Sequence, residues 1–206
     1  MASIYDLKPR FLAFLRPILH ALARAGVTPN MITGLAIIGS LAAGAALMFA
    51  RERPALLLLL PAWLLARMAL NALDGMLARE HQMMSRLGAV LNELGDVVSD
   101  LAIYLPLALM FPESRWPAIA FSILAVLTEF AGLLGQALGG ARRYEGPMGK
   151  SDRALLVGLL GLVTFFLPQA RMVWPWAFEL GAALAVVTCL NRARKALAEP
   201  SAQGTR

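Results

Sequence analysis

The chain has 206 residues, 59% of them hydrophobic and 16% charged, with a mean hydropathy of +0.65. A soluble domain carries about 45–50% apolar and about 25% charged residues, so an ordinary soluble fold is excluded. So is a disordered chain, which is poor in hydrophobic residues. A single cysteine, Cys189, excludes a disulfide scaffold. What remains is an all-α integral membrane protein. Nineteen Lys and Arg against 13 Asp and Glu give a net charge of +6. That excess reads as the positive-inside bias of a membrane protein, and no nucleic-acid partner is expected.

In chain order, residues 1–27 form a cytoplasmic juxtamembrane segment. Phe11, Phe14, Leu15, Ile18, Leu19 and Leu22 share one helical face, and Arg10, Arg16, His20 and Arg24 share the other. This pattern predicts an amphipathic helix lying in the membrane interface. A signal peptide is the rival reading, because Ala21-Leu22-Ala23 resembles a cleavage site, but Arg16, Pro17 and His20 interrupt its apolar region. Residues 28–196 then hold six apolar stretches. They run near residues 30–50, 54–75, 87–111, 116–138, 154–167 and 172–190; a spanning helix needs about 20 residues, and the fifth stretch is short unless it begins at Ser151. Residues 197–206 form a cytoplasmic tail.

Six spans with both termini in the cytoplasm leave only Arg51, Arg53, Arg115 and Arg171 in outer loops and Arg67 within a span. The other 14 of the 19 basic residues face inward, as the positive-inside rule requires. The expected location is a multi-pass protein of a bacterial-type inner membrane. Trp63, Trp116, Trp174 and Trp176 lie mainly near span ends, where aromatic anchoring is expected.

The acidic residues inside the spans carry the functional signal. Asp74 ends the second span, and Glu93, Asp96 and Asp100 fall within eight residues of the third. An ionisable group at the bilayer centre costs at least about 2.5 kcal/mol and marks a functional site by default. On a helical projection Asn71, Asp74, Gly75, Ala78 and Arg79 share one arc of the second span. Gly88, Asn92, Gly95, Asp96, Ser99 and Asp100 share a similar arc of the third. The short connection from Glu80 to Arg86 brings the two faces together. Carboxylates and amide oxygens one turn apart suit a hard divalent cation such as Mg²⁺.

The string Asn71-x2-Asp74-Gly75-x2-Ala78-Arg79-x8-Gly88-x3-Asn92-x3-Asp96 resembles the signature of the CDP-alcohol phosphotransferases, D-x2-D-G-x2-A-R-x8-G-x3-D-x3-D. Six of its eight fixed positions match with spacing intact, and Thr28-Pro29-Asn30 resembles the segment that opens the first span in many members. The resemblance implies a transferase of phospholipid biosynthesis. It moves a phosphatidyl-type group from a CDP-alcohol, most commonly CDP-diacylglycerol, to an alcohol or phosphorylated alcohol, and releases CMP. The metal set implied is Asn71, Asp74, Asn92 and Asp96, with Asp100 as a further ligand, holding Mg²⁺ or Mn²⁺. Asp96 is the implied catalytic base. Asp74, Gly75, Ala78, Arg79 and Gly88 are the implied nucleotide site.

Asn71 and Asn92 stand where the family has aspartates, which makes the site two charges less negative. Three outcomes are open: one metal in place of two, a rebuilt set using Glu93 or Asp100, or loss of chemistry. A second cluster, Arg142, Arg143, Lys150 and Arg153, surrounds the start of the fifth span. It reads either as topology and headgroup contact or, through the resemblance, as an acceptor pocket for a phosphorylated alcohol. Arg67 is expected to pair with Glu129 or Asp100. The resemblance also implies a homodimer. The alternatives to an active transferase are a lapsed relative that binds nucleotide or lipid as a partner subunit, and a small cation-coupled transporter. Acids gathered toward one side of two spans, without repeats, weigh against the transporter.

Overall fold

The computed structural model describes the backbone of residues 4–199 and the side chains of residues 11–199. Lys8 and Arg10 among the inward charges, and residues 200–206 of the tail, therefore lie outside the described side chains. Seven helices make up the described residues: α1 (Ile4–Arg24), α2 (Pro29–Leu47), α3 (Leu59–Glu80), α4 (Arg86–Met110), α5 (Arg115–Ala137), α6 (Lys150–Phe166) and α7 (Trp174–Ala198).

Local chemistry sets the helix starts nearest the motif. Thr28 caps α2, its Oγ1 accepting the Met31 N–H at 3.3 Å, and Pro29 fills the first turn, where its missing N–H costs nothing. Ser85 caps α4 by accepting the Gly88 N–H at 2.9 Å. Between α3 and α4 the chain reverses through a short turn, with Gln82 at φ +56°. α6 starts at Lys150, earlier than the apolar stretch beginning at residue 154 suggested. The Asp152 carboxylate takes the otherwise unmet N–H of Gly149 at 2.9 Å, so the polar first turn is already helical.

Among the described residues four helical stretches are long and apolar enough to cross a membrane: Pro29–Leu47, Pro54–Glu80, Pro112–Ala137 and Pro168–Ala198. α4 is long enough, at 25 residues, but carries Arg86, Glu93, Asp96 and Asp100, and α6 has 17 residues. Both belong to the same bundle. α4 runs along α2 and α5, α6 along α3, and α5 along α7.

α1 departs from the single apolar face expected of it. Leu15 and Leu19 are buried against Ile32 of α2 and Leu73, Met76 and Leu77 of α3. Phe14 and Ile18 are exposed. The apolar surface is thus divided between a seam docked on the end of α3 and a stripe that points outward.

The main core adjoins the buried charges, Ala154 lying next to Arg153 and the Met148 carbonyl accepting from it at 3.2 Å. Tyr104, Phe121, Phe178 and Trp174 form a chain of tilted and edge-on rings with centroids 5.4–5.7 Å apart. Trp174 was expected as an interfacial anchor. It is instead fully buried, and its Nε1–H donates to Thr164 Oγ1 at 2.8 Å, which removes the polar reason for a tryptophan to seek the interface. Trp116 and Trp176 are exposed, as anchors are.

Small residues let the helices close. A Cβ on Gly44 would collide with the Ala102 carbonyl of α4, whereas one on Gly34 would meet nothing within 4 Å. Gly44→Leu is therefore expected to force α2 off α4 and to lower stability by about 1–3 kcal/mol. Gly34→Leu on the same helix should leave the unfolding temperature in detergent unchanged.

Candidate functional site

α2, α3 and α4 enclose a cavity of about 390 Å³ at the end of the bundle where the α3–α4 turn lies. Pro29, Asn30 and Thr33 line it from α2, Asn71, Asp74, Gly75, Ala78 and Arg79 from α3, and Gly88, Asn92 and Glu93 from α4. Every residue assigned to nucleotide binding therefore faces one space, as the two helical arcs predicted. A Cβ on Gly88 would lie 2.9 Å from Asn30 Oδ1 and 3.0 Å from Ser85 Oγ, so those two side chains would have to shift. A larger cavity, of about 690 Å³, opens at the opposite end of the bundle among Arg51, Glu113 and Arg171, and no motif residue reaches it.

The two retained aspartates are buried and held by neighbours. Thr33 Oγ1–H donates to Asp74 Oδ2 at 2.9 Å, fixing the carboxylate from the first turns of α2. Asn71 Nδ2–H donates to Asp96 Oδ1 at 3.1 Å, so a motif asparagine uses its amide to orient a motif aspartate. The Lys150 ammonium, at the start of α6, contacts the same Asp96 oxygen. Arg67 Nη2–H donates to the Asp96 backbone carbonyl at 2.9 Å. Among the described residues no three His, Cys, Asp or Glu side chains converge as a metal site.

Asp100 is placed differently from the other expected ligands. Both its oxygens are taken, one by Arg67 and the other by Arg153 at 2.9 Å. Of the two partners expected for Arg67, the structure selects Asp100. Arg153 is fully buried and continues the chain of charges. Its Nη2 also meets Glu129 Oε1 at 2.7 Å, and its Nη1 donates to Thr128 Oγ1 at 2.7 Å. Glu129 Oε2 pairs with Arg142 at 2.8 Å, and Arg142 pairs with Glu93 at 2.7 Å. Arg192 of α7 stands 4.0 Å from Glu129 and donates from Nε to the Glu145 carbonyl at 3.2 Å. Arg143 turns away to Glu199 at the end of α7.

Outside the helices, the Glu145 carboxyl is held below the usual carboxylate range, chiefly by its own backbone N–H and also by Lys195, 3.2 Å away. Sequence reasoning missed Thr33, Arg192 and the central place of Glu129. A lone glutamate inside an otherwise apolar helix was the signal for Glu129, whereas Arg192 is one of three basic residues, with Arg194 and Lys195, near the end of α7. Thr33 carries no charge and gave none.

The comparisons with known proteins agree with this geometry. A family model described as CDP-alcohol phosphatidyltransferase matches residues 26–190, and the chain belongs to that family. It is 47% identical over 196 residues to an inner membrane protein, YnbA, of Escherichia coli (strain K12), covering 95% of this chain and 96% of that one. It is 28% identical over 195 residues to the phosphatidylinositol phosphate synthase of Mycobacterium tuberculosis (strain ATCC 25618 / H37Rv), covering 90% and 87%. Crystal structures of the Mycobacterium tuberculosis phosphatidylinositol phosphate synthase share the fold at 24% identity. The form with CDP-DAG bound has a TM-score of 0.74 over 92% of this chain and 96% of that one. The form in complex with manganese and citrate has a TM-score of 0.75 over 92% of each.

Removing Arg153 should strand two buried carboxylates. Arg153→Met is expected to cost about 3–5 kcal/mol of stability. Arg143→Ala, whose partner Glu199 is partly exposed, should cost less than about 1 kcal/mol. Thermal unfolding of both variants in one detergent measures the difference.

Proposed function

We propose that this protein is an active phospholipid-forming transferase. It moves the phosphatidyl group of CDP-diacylglycerol to a hydroxyl acceptor and releases CMP. The observation that carries the reading is the single cavity in which Asp74, Gly75, Ala78, Arg79 and Gly88 face Asn92 beneath the capped start of α2. Family membership and a relative crystallised with CDP-DAG support it.

The residues fit one divalent cation rather than two. Asp74 and Asp96 supply two hard carboxylates, and Asn71 and Asn92 offer neutral amide oxygens. Glu93 is paired with Arg142, and Asp100 with Arg67 and Arg153, so neither replaces the missing charge. Bound there, Mg²⁺ or Mn²⁺ would neutralise the pyrophosphate of the donor. A relative in complex with manganese supports the metal class.

The chain's own residues do the rest. Gly88 admits the nucleotide close to the backbone, and Arg79 stands at the cavity wall to meet phosphate oxygens. Asp96, oriented by Asn71 and Lys150, accepts the proton of the acceptor hydroxyl. The acceptor oxygen bonds to the lipid-side phosphorus as the bond from that phosphorus to the bridging oxygen breaks. The electron pair leaves with CMP.

Residues 28–196 then form a membrane domain of six crossings, α4 and α6 included, with both termini cytoplasmic. The clustering of Lys150, Arg142 and Arg143 at the motif end of the bundle supports that orientation. Residues 1–27 lie at the interface, residues 197–206 form a tail, and family membership supports a homodimer. A second reading, a lapsed relative that binds the nucleotide lipid without turnover, is favoured by the lysine already seated on Asp96.

The two readings part in one assay. Protein in lipid nanodiscs with CDP-diacylglycerol, Mn²⁺ and a panel of alcohols is expected to release CMP. Asp96→Asn should slow release by about 10²–10⁴-fold. CDP-diacylglycerol binding with no CMP from any alcohol would establish the lapsed reading. Electron paramagnetic resonance should count one Mn²⁺ per chain, and two would refute the single-ion site.

A further inference from the structure

The basic side chains expected to receive a phosphorylated acceptor are already occupied by the protein's own carboxylates. Arg142 reaches Glu93 at 2.7 Å and Glu129 at 2.8 Å. Arg153 holds Glu129 at 2.7 Å and Asp100 at 2.9 Å. Lys150 contacts Asp96, and Arg143 contacts Glu199. Glu129 is the centre of this arrangement. It is buried, and it stands within 4.0 Å of three guanidinium groups, those of Arg142, Arg153 and Arg192.

Arginine captures a phosphate through free, paired N–H donors. Here the terminal Nη donors of Arg142 and Arg153 are directed at carboxylates and at Thr128, and only the Nε of each is unpaired among the described residues. A phosphate ester entering the corner would have to displace Glu129, and a buried carboxylate parted from its arginines is an uncompensated charge. It would also face a second anion at close range, which is the repulsive element that sets specificity. Carboxylates at Glu93 and Asp96 can instead accept hydrogen bonds from hydroxyl groups.

We propose that the acceptor is an uncharged hydroxyl compound, and that Glu129 is a built-in counter-anion that closes the basic corner to phosphate. The proposal rests on the transferase reading above and names its acceptor class.

The test uses full-length protein in nanodiscs with CDP-diacylglycerol and Mn²⁺. Acceptors are offered in pairs that differ by one phosphate, such as glycerol with glycerol 3-phosphate and inositol with inositol 1-phosphate. The uncharged member is expected to release CMP at least about tenfold faster. Preference for the phosphate ester overturns the inference. Glu129→Gln should move the ratio toward the ester. Glu93→Gln, at a more exposed position, does the same through Arg142 if the first variant fails to fold.

A binding measurement separates the two levels of the reading. Inorganic phosphate is titrated into the metal-free protein by calorimetry. The wild type is expected to show no saturable site, and Glu129→Gln to gain one. A wild-type phosphate site abolished by Arg142→Ala overturns the inference whether or not CMP is released. No CMP from any acceptor, with donor bound, overturns the transferase reading and the acceptor class with it, while the phosphate titration still decides whether the corner is closed.

Discussion

Arg153 is the residue on which the rest of the bundle depends. It is fully buried on α6, between Asp100 of α4 and Glu129 of α5. A charge placed there alone would be expelled or neutralised, since burial in an apolar medium is tolerated only for groups that are paired and hydrogen-bonded. The pairing extends outward until each carboxylate is met: Arg67 of α3 on Asp100, and Arg142 and Arg192 around Glu129. Five helices are joined through one continuous set of charges. Apolar contacts between spans are weakly directional, because lipid tails are as apolar as leucine. The charges supply the direction, and they fix the register in which α3 and α4 present the motif.

The electrostatics of the site follow from that register. Asp74 lines the cavity beside Asn71 and Asn92, and Asp96 is buried next to it, hydrogen-bonded to Asn71. A cation, Lys150, comes from α6 to Asp96, and an amide comes from Asn71 to the same oxygen. Lost negative charge is thus accompanied by neutral and positive neighbours rather than by new acids. Glu93 and Asp100 remain acidic, but their charge is spent on arginines.

Much of this was legible in the chain because periodicity and cost both speak loudly inside a membrane. The arcs holding Asp74 and Gly88 follow from helical spacing alone, and the structure brings them to one cavity. Residue type also marked Arg67 and Glu129 as polar groups in apolar helices. Partner choice was less legible. Spacing leaves Arg67 two acids to choose from, and only the packing of α3 on its neighbours selects Asp100. Asp100 looked like a ligand because it lies one turn beyond Asp96. In the fold one further turn is enough to seat it in the ionic core, with both oxygens on arginines. Trp174 misled for a similar reason: its place near a span end suggested an anchor, while the unmet hydroxyl of Thr164 drew it inside. The docking of the first helix was not legible, since no sequence pattern says which apolar residues a neighbouring helix will claim.

That division of α1 has a mechanical consequence. Leu15 and Leu19 bind it to the very end of α3 that carries Asp74, while Phe14 and Ile18 stay free to enter lipid. Seated at a membrane interface, the helix would act as a float with a rigid arm. Whatever depth the acyl chains allowed to Phe14 and Ile18 would then become the depth at which the cavity opens. Lateral pressure and leaflet thickness would then act on the height of the reaction centre relative to the phosphates of the lipids it must reach.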